Sequence, residues 1–121
     1  MTRPFLVSLS LVTMLTAMTL AQGEIYLPRN GVTLPVVVKE VKPDYTDEAK
    51  AARIQGTVWL KTIVKADGDV GDVQVTKSLD TRFGLDDEAV KAAKQWKFKP
   101  GTKDGKPVAV QVTIELTFAL K

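Results

Sequence analysis

The sequence contains no cysteine and no histidine, and Ser78 is the only serine after residue 21. Disulfide bonds and thiol nucleophiles are therefore excluded, and a serine nucleophile has no imidazole to activate it. Zinc sites built from Cys and His are excluded for the same reason. We accordingly predict a protein that is not an enzyme, with no catalytic residues, no metal ion and no cofactor.

Two loops bear a weak likeness to ligand-binding motifs. Asp67, Asp69 and Asp72 have the spacing of a calcium loop, but the positions that require Gly and Glu hold Asp72 and Ser78. Residues 101–106 are one residue short of a phosphate loop, and they precede a strand instead of a helix. A tight hairpin turn and a polar loop are the interpretations that these segments favour.

The sequence also has no large excess of basic or acidic residues, because the net charge is only +3 in 121 residues. No nucleic-acid partner is therefore expected. The first 21 residues differ from the rest: Arg3 precedes an apolar run from Phe5 to Leu20, and Ala21 ends a small-residue cleavage site. We interpret residues 1–21 as a cleaved secretory signal peptide, with an uncleaved inner-membrane anchor as the alternative.

The clearest pattern that is present lies at the carboxyl end of the chain. Every second residue from 108 to 120 is apolar, and most of the intervening residues are polar. This alternation predicts a half-buried strand over residues 107–120, long enough to pair with another backbone, and it favours a binding protein over a catalyst. The apolar positions are Val108, Val110, Val112, Ile114, Leu116, Phe118 and Leu120.

A short helix is predicted at the start of the folded domain, which we place at residues 42–121. Thr46 is a good N-cap, and Asp47 and Glu48 supply acidic side chains for the first turn. The preceding residues, 22–41, mix Gly, Pro and Asn with isolated apolar residues. They are interpreted as an irregular lead-in with a short strand at residues 36–41.

A β-hairpin follows the first helix. Residues 57–66 and 70–75 are rich in β-type residues, and Asp67-Gly68 between them has the chemistry of a tight turn. The apolar alternation changes phase after Val70, which predicts a bulge near Gly71.

A second helix is predicted from Leu85 to Trp96, and a polar loop at residues 101–107 leads into the last strand. The order after residue 43 is therefore α-β-β-α-β. We predict an α+β fold in which two helices pack on one face of a three-stranded antiparallel sheet. Residues 57–66 form the central strand, and residues 107–120 lie at an edge whose unpaired backbone groups can bind another strand.

The remaining aromatic and basic residues have structural interpretations. Trp96 and Phe98 are expected to anchor the second helix and the following corner in the core. Trp59 is expected on the sheet face away from the helices. The lysines of this half are expected on solvated helix and loop faces; they are Lys91, Lys94, Lys97, Lys99, Lys103 and Lys106.

Several short motifs occur in a fixed order along residues 36–120, and as an ordered set they resemble the C-terminal domain of TonB-family energy transducers. The matching elements are Lys42-Pro43-Asp44-Tyr45, Ala52-Arg53-Ile54-Gln55-Gly56-Thr57-Val58, Asp67-Gly68-Asp69-Val70, Val73-Gln74-Val75, Leu85-Asp86, Ala89-Val90, Trp96-Lys97-Phe98-Lys99-Pro100 and Gly105-Lys106-Pro107-Val108.

The resemblance implies a periplasmic binding module in TonB-dependent transport. Its last strand would pair with an extended segment, the TonB box, of an outer-membrane receptor by β-augmentation. Carried over to this sequence, Tyr45 would belong to the receptor-contacting segment. The pairing edge would be residues 110–115, namely Val110, Gln111, Val112, Thr113, Ile114 and Glu115.

The sequence departs from the family in two respects. Thr46 follows Tyr45 where the family usually has a second proline. Full transducers of the family begin with a membrane-anchored helix that bears a histidine, and a long proline-rich spacer follows it. This sequence has no His, and only thirteen irregular residues, 22–34, precede Pro35. The sequence is therefore expected to represent the domain alone, and it gives little support for coupling to inner-membrane proton-motor proteins.

Two alternatives stay open from the sequence. The strand edge could be occupied by residues 36–41 of the same chain, or of a second chain in a homodimer, which would make the protein a structural or self-associating envelope domain. If residues 1–21 are an uncleaved anchor, the protein would instead be a short membrane-anchored transducer.

Overall fold

The computed structural model describes residues 24–121, so the predicted signal peptide lies outside the described residues. This part of the chain forms two helices and eight strands. The helices are α1 (Asp47–Ala51) and α2 (Leu85–Lys94). The strands are β1 (Ile25–Tyr26), β2 (Val32–Thr33), β3 (Val36–Lys39), β4 (Gly56–Val64), β5 (Val70–Lys77), β6 (Lys97–Lys99), β7 (Gly101–Lys103) and β8 (Lys106–Phe118).

The three long strands are antiparallel neighbours in the order β8-β4-β5. This confirms the prediction that the first strand of the hairpin is central. Strands β4 and β8 pair residue for residue, from Gly56 with Phe118 to Val64 with Val110. Strand β5 has an extra residue where the register against β4 shifts between Thr62 and Val64, which confirms the bulge near Gly71.

Both helices contribute to one core against one face of the long strands. The even-numbered residues of β4 and β8 supply the strand side of this core, because successive side chains point to opposite faces of a sheet. Helix α1 contributes Ala49, and α2 contributes Leu85, Ala89, Ala92 and Ala93. The predicted α+β class is confirmed. Trp96 and Phe98 are buried as expected, and Trp59 is 37% exposed on the other face.

The caps of the helices agree with the sequence in part. Thr46 is the N-cap of α1, and its hydroxyl accepts a hydrogen bond from the Ala49 N–H at 3.2 Å. Helix α2 begins after Gly84, which has no side chain to cap it. Buried Asp80 and Asp86 replace that cap: Asp80 accepts from the Leu85 N–H, and Asp86 accepts from the Asp80 N–H.

The prediction of a three-stranded sheet is wrong, because the sheet has six strands within the described residues. Residues 101–107 are not a polar loop: β7 and the start of β8 form a hairpin in which Lys103 pairs with Lys106. Asp104 and Gly105 between them both have positive φ, as a tight primed hairpin turn requires. The Asp-Gly dipeptide of this turn is visible in the sequence, but the three residues of β7 before it are too few to show an apolar alternation.

The lead-in segment contributes the three short strands β1, β2 and β3, of which the sequence predicted only the last. Strand β3 pairs with β6 in a separate two-stranded sheet, so the alternative in which residues 36–41 of the same chain cover the edge of β8 is wrong. Strand β1 instead pairs in parallel with β8, at Ala109 and Val110. Strand β2 pairs with β7. Neither helix of the described residues is long and apolar enough to cross a membrane.

The loop with a weak likeness to a calcium site forms the turn between β4 and β5. The Lys65 N–H donates to the Asp69 carbonyl and closes the β4–β5 turn, while the Asp67 carboxylate accepts from the Asp69 N–H at 2.9 Å. The hairpin interpretation is confirmed. The Asp69 carboxylate lies 2.8 Å from Lys97 Nζ. The hydrogen bond from Lys97 and its positive charge hold the pKa of Asp69 below its ordinary value.

Candidate functional site

The backbone groups of β4 show which edge of β8 is open. In an antiparallel sheet, each residue of a central strand directs both its N–H and its C=O to one neighbouring strand, and successive residues alternate between the two neighbours. Lys65 and Trp59 are directed to the β5 side, because the Lys65 N–H donates to Asp69 and the Trp59 carbonyl accepts from the Thr76 hydroxyl. The even-numbered residues of β4 are therefore directed to β8.

Strands β4 and β8 pair without a register shift, so even-numbered residues of β4 bond to even-numbered residues of β8. The odd-numbered residues of β8 consequently direct their N–H and C=O groups away from β4. Strand β1 covers this outer edge only as far as Val110. We call residues 112–118 the open edge. On it, Thr113, Glu115 and Thr117 offer outward backbone donors and acceptors that no strand of the described residues binds.

An apolar groove of about 600 Å³ lies beside the first half of the open edge. Residues 111–115 of β8 form one side of it. Trp96 and Phe98, which follow α2, lie between this side and the lead-in segment. The lead-in closes the groove with four apolar residues, which are Pro28, Leu34, Pro35 and Val37. An extended strand added to the open edge would therefore place one set of its side chains in an apolar environment.

A second groove, of about 380 Å³, continues along the other half of the edge. Tyr45 lines it together with Leu116 and Thr117. The Tyr45 hydroxyl donates to the carbonyl of Ile54, and its ring packs edge-on against Phe118 with the centroids 5.4 Å apart. Tyr45 thus fixes α1 to the end of β8 and presents part of its half-buried ring at the groove.

Trp96 lines both grooves and joins the lead-in to the core. Its indole Nε1–H donates to the Val41 carbonyl at 2.9 Å, and its ring lies 6.1 Å from that of Phe98. Because Trp96 is almost fully buried, its position is fixed by packing as well as by this hydrogen bond. The segment that follows β3 is therefore held against the carboxyl end of α2, and the two grooves share Trp96 as a boundary.

The structure brings together most of the residues that the sequence indicated. Gln111, Val112, Thr113, Ile114 and Glu115 all line the first groove, and Tyr45 lines the second.

Val110 is placed differently from the other residues of the predicted edge. It is fully buried, and its outer side is paired with Tyr26. Sequence reasoning missed the contribution of the lead-in, whose only signal was a set of apolar residues spaced between prolines and glycine.

Glu115 is the only charged residue that lines the first groove. It is exposed, and the two salt bridges found among residues 24–121 do not include it. Lys97 and Lys91 are bound to Asp69 and Glu88, and Lys103 lies over the ring of Tyr26. Over the same range, no group of three or more acidic side chains could hold a metal ion.

The fold and the site together define a class: a small α+β domain that presents an open strand edge beside an apolar groove. Comparison with known proteins identifies the family within this class. Residues 41–120 match the family model described as the Gram-negative bacterial TonB protein C-terminal. The chain belongs to the TonB C-terminal domain family.

Individual relatives agree with this assignment. The chain is 37% identical over 86 residues to protein TonB of Vibrio cholerae, a match that covers 71% of this chain and 35% of that protein. It is 37% identical over 91 residues to protein TonB of Xanthomonas campestris, covering 74% of this chain and 40% of that protein. The chain thus spans less than half the length of these relatives.

A solved structure shows the same fold. The solution structure of the Pseudomonas aeruginosa TonB C-terminal domain superposes with a TM-score of 0.59 at 27% identity, covering 83% of this chain and 96% of that chain. The resemblance seen in the sequence motifs is therefore confirmed at the level of the family and of the fold.

Proposed function

We propose that this protein is a non-enzymatic periplasmic binding module that pairs the open edge of β8 with an extended segment of an outer-membrane receptor, the TonB box, in TonB-dependent transport. The observation that carries the proposal is the row of outward backbone groups at Thr113, Glu115 and Thr117, beside an apolar groove. Strand addition needs both features, since backbone hydrogen bonds supply affinity and side-chain pockets supply specificity.

Membership of the TonB family supports this use of the edge. The proposed contact residues are Gln111, Val112, Thr113, Ile114 and Glu115 along β8, and Tyr45 at the end of the edge. Val110 is omitted because its outer side is already paired with β1. Export by a cleaved signal peptide would place the module where outer-membrane receptors expose their periplasmic segments.

The substitution Thr113→Pro tests the proposed pairing. The Thr113 N–H is directed away from β4, so proline removes an outward donor without breaking a hydrogen bond to β4. Proline is tolerated in strands where its missing N–H would face outward, and the extended backbone that it requires of Val112 is already present. We expect Thr113→Pro to stay folded and to lower the affinity for a synthetic receptor peptide by about tenfold or more.

Thr113→Val is the matched control, because it keeps the N–H and changes only the exposed side chain. Titration of a fluorescently labelled peptide, followed by anisotropy, measures both variants, and circular dichroism checks that they fold. Unchanged peptide affinity in folded Thr113→Pro would reject pairing along this edge.

Self-association is a second candidate function, and one observation favours it. Strand β3 has a neighbour on one side only within the described part of the chain, and its Val36 and Val38 side chains are 58% and 70% exposed. An apolar strand with an open edge can pair with a second copy. Sedimentation velocity over a range of protein concentrations distinguishes this candidate, because self-association makes the sedimentation coefficient rise with concentration.

A further inference from the structure

The lead-in segment forms one wall of the first groove, although it lies outside residues 41–120 that match the family model. Leu34 and Val37 are the large side chains of this wall. They are 54% and 42% exposed, so they face the groove without being buried by the domain itself. The wall therefore belongs to the lead-in and lies outside the residues that the family model describes.

The wall is held in place from three directions. Strand β1 pairs with β8, β2 pairs with β7, and β3 pairs with β6. Gly101 lets β2 approach closely, because a Cβ atom there would lie 2.4 Å from the Thr33 carbonyl oxygen. Leu34 and Pro35 follow Thr33 directly. The apolar side chains of the wall thus stand at a fixed distance from the open edge and do not belong to a loose tail.

The alternation of a β-strand determines which side chains of a bound segment would meet this wall. Val112 and Ile114 point to the helix side of β8, where Trp96 and Phe98 also lie. A segment paired with the open edge would direct every second side chain to the same side. Those side chains would enter the space between Val112 and the wall of Leu34 and Val37.

Side chains on the opposite face of the bound segment would lie beside a carboxylate. Glu115 has odd parity in β8 and is exposed, with no ion pair within residues 24–121. Among the residues that border the groove it is the only charged one, and its side chain lies on the face of β8 opposite to Val112 and Ile114. A basic side chain beside it would gain a favourable cross-strand pair. Because the two faces alternate, this basic residue and the apolar one would be separated by an odd number of positions.

We propose that the wall of Leu34 and Val37, together with Glu115, selects the segment that β8 accepts: an extended peptide with a bulky apolar side chain on the groove side and a basic side chain on the other side. This inference rests on the proposed strand pairing and adds a specificity that the family assignment does not supply. The groove volume of about 600 Å³ leaves room for a leucine-sized side chain, which fills more of it than an alanine does.

Synthetic threonine-rich peptides that differ only at two adjacent guest positions test the proposal with the whole purified chain. The peptides carry Leu-Lys, Ala-Lys or Leu-Gln at these positions. We expect the Leu-Lys peptide to bind about tenfold more tightly than Ala-Lys, as burial of the extra carbon atoms predicts. In the double variant Leu34→Ser with Val37→Ser, this preference falls to about threefold, while the affinity for Ala-Lys is unchanged.

Val38→Ser is the matched control, because Val38 lies in the same strand but does not line the groove. It should keep the full preference for leucine. Leu34→Ile with Val37→Ile should keep it as well, which guards against a folding defect as the explanation. An unchanged leucine preference in the Ser double variant, or an equal loss of affinity for Leu-Lys and Ala-Lys, would overturn the role of the wall.

The substitution Glu115→Gln tests the proposed preference for a basic side chain in the bound segment. In the wild type, Leu-Lys should bind about threefold more tightly than Leu-Gln at low salt, and this difference should disappear in the variant. The absence of any lysine preference in the wild type would contradict the proposal.

The outcomes also separate this inference from the proposed function. If Thr113→Pro abolishes binding of all the peptides but the wall variants change nothing, strand pairing stands and the wall inference is wrong. If the Ser double variant instead converts a dimer to a monomer in sedimentation, the groove is occupied by a second copy, and the peptide assignment is overturned.

Discussion

At the scale of single residues, the position of the lead-in depends on the indole of Trp96. Its N–H is the donor for the Val41 carbonyl, and the residue is 6% exposed. A tryptophan was expected in the core from the sequence, since it ends an amphipathic helix. Its hydrogen bond to a residue 55 positions earlier could not be read from local pattern, because it depends on how the two segments meet.

We predict that Trp96→Phe lowers the free energy of unfolding by about 1 to 3 kcal/mol, because the Val41 carbonyl loses its partner and a buried volume is left unfilled. Urea denaturation followed by far-ultraviolet circular dichroism measures the loss. Trp59→Phe is the control: Trp59 is 37% exposed, so its replacement should change stability by less than about 0.5 kcal/mol. Equal losses in the two variants would contradict the role given to Trp96.

The pair of Asp69 and Lys97 predicts a small pH effect. Lys97 lowers the pKa of Asp69 in the folded state, so the pair stabilises the fold above the unfolded pKa of about 3.9 and this contribution is lost as the pH falls through the lower folded value. Both groups are exposed, so added salt weakens the effect. Its size is expected to be small.

Lys97→Met should raise the pKa of Asp69 toward its ordinary value, as followed by the carboxyl carbon shift in an NMR titration. Lys94→Met, which removes an exposed charge from α2 instead, should leave the Asp69 titration unchanged. An identical Asp69 titration in the wild type and in Lys97→Met would show that the pair does not form in solution.

At the scale of secondary-structure elements, the sequence predicted the long elements well and the short ones poorly. The long elements repeat their apolar residues at a regular spacing, which made them recognisable in the sequence. They are the strands β4, β5 and β8 and the helix α2. Strands β1, β2 and β7 have two or three residues each and no period to detect. They form because β8 and its neighbours offer unpaired edges.

Gly101 is where these short elements come closest, and it gives a prediction at this scale. The added Cβ of Gly101→Ala would lie 2.4 Å from the Thr33 carbonyl oxygen and 2.8 Å from Val110 Cγ2. Strand β2 must then move away from β7. We expect a loss of about 1 to 3 kcal/mol in stability and faster hydrogen exchange of the β2 and β7 amides.

Most of β4 and β5 should keep its protection in Gly101→Ala, because β8 lies between these strands and β7 in the order of the sheet. Gly71→Ala is the control, since the nearest atom to its added Cβ is 3.4 Å away and its φ is not positive. If both variants exchange alike, the close approach of β2 to Gly101 is not what holds the lead-in.

At the scale of the whole molecule, the proposed function requires export and a free module on the periplasmic side. We predict that the intact mass of the protein recovered from cell envelopes corresponds to a chain that begins near Gln22, because residues 1–21 have the charge, apolar run and small residues of a cleaved signal peptide. Mass spectrometry of the soluble and membrane fractions measures this. A membrane-bound form that retains Met1 would instead support the short anchored transducer.

The α+β class, the hairpin, the extent of β8 and the family could be predicted from the sequence alone, because each depends on local spacing of apolar residues or on short ordered motifs. The prediction that β8 lies at the edge of the sheet was wrong, because β7 and β1 also pair with it. Only the tertiary structure decided which edge of β8 is open, that β1 already covers Val110, and that Leu34 and Val37 face Trp96 and Phe98 across a groove. These features depend on contacts between segments far apart in the chain. Period and propensity describe neighbours along the sequence, whereas the groove is built from neighbours in space.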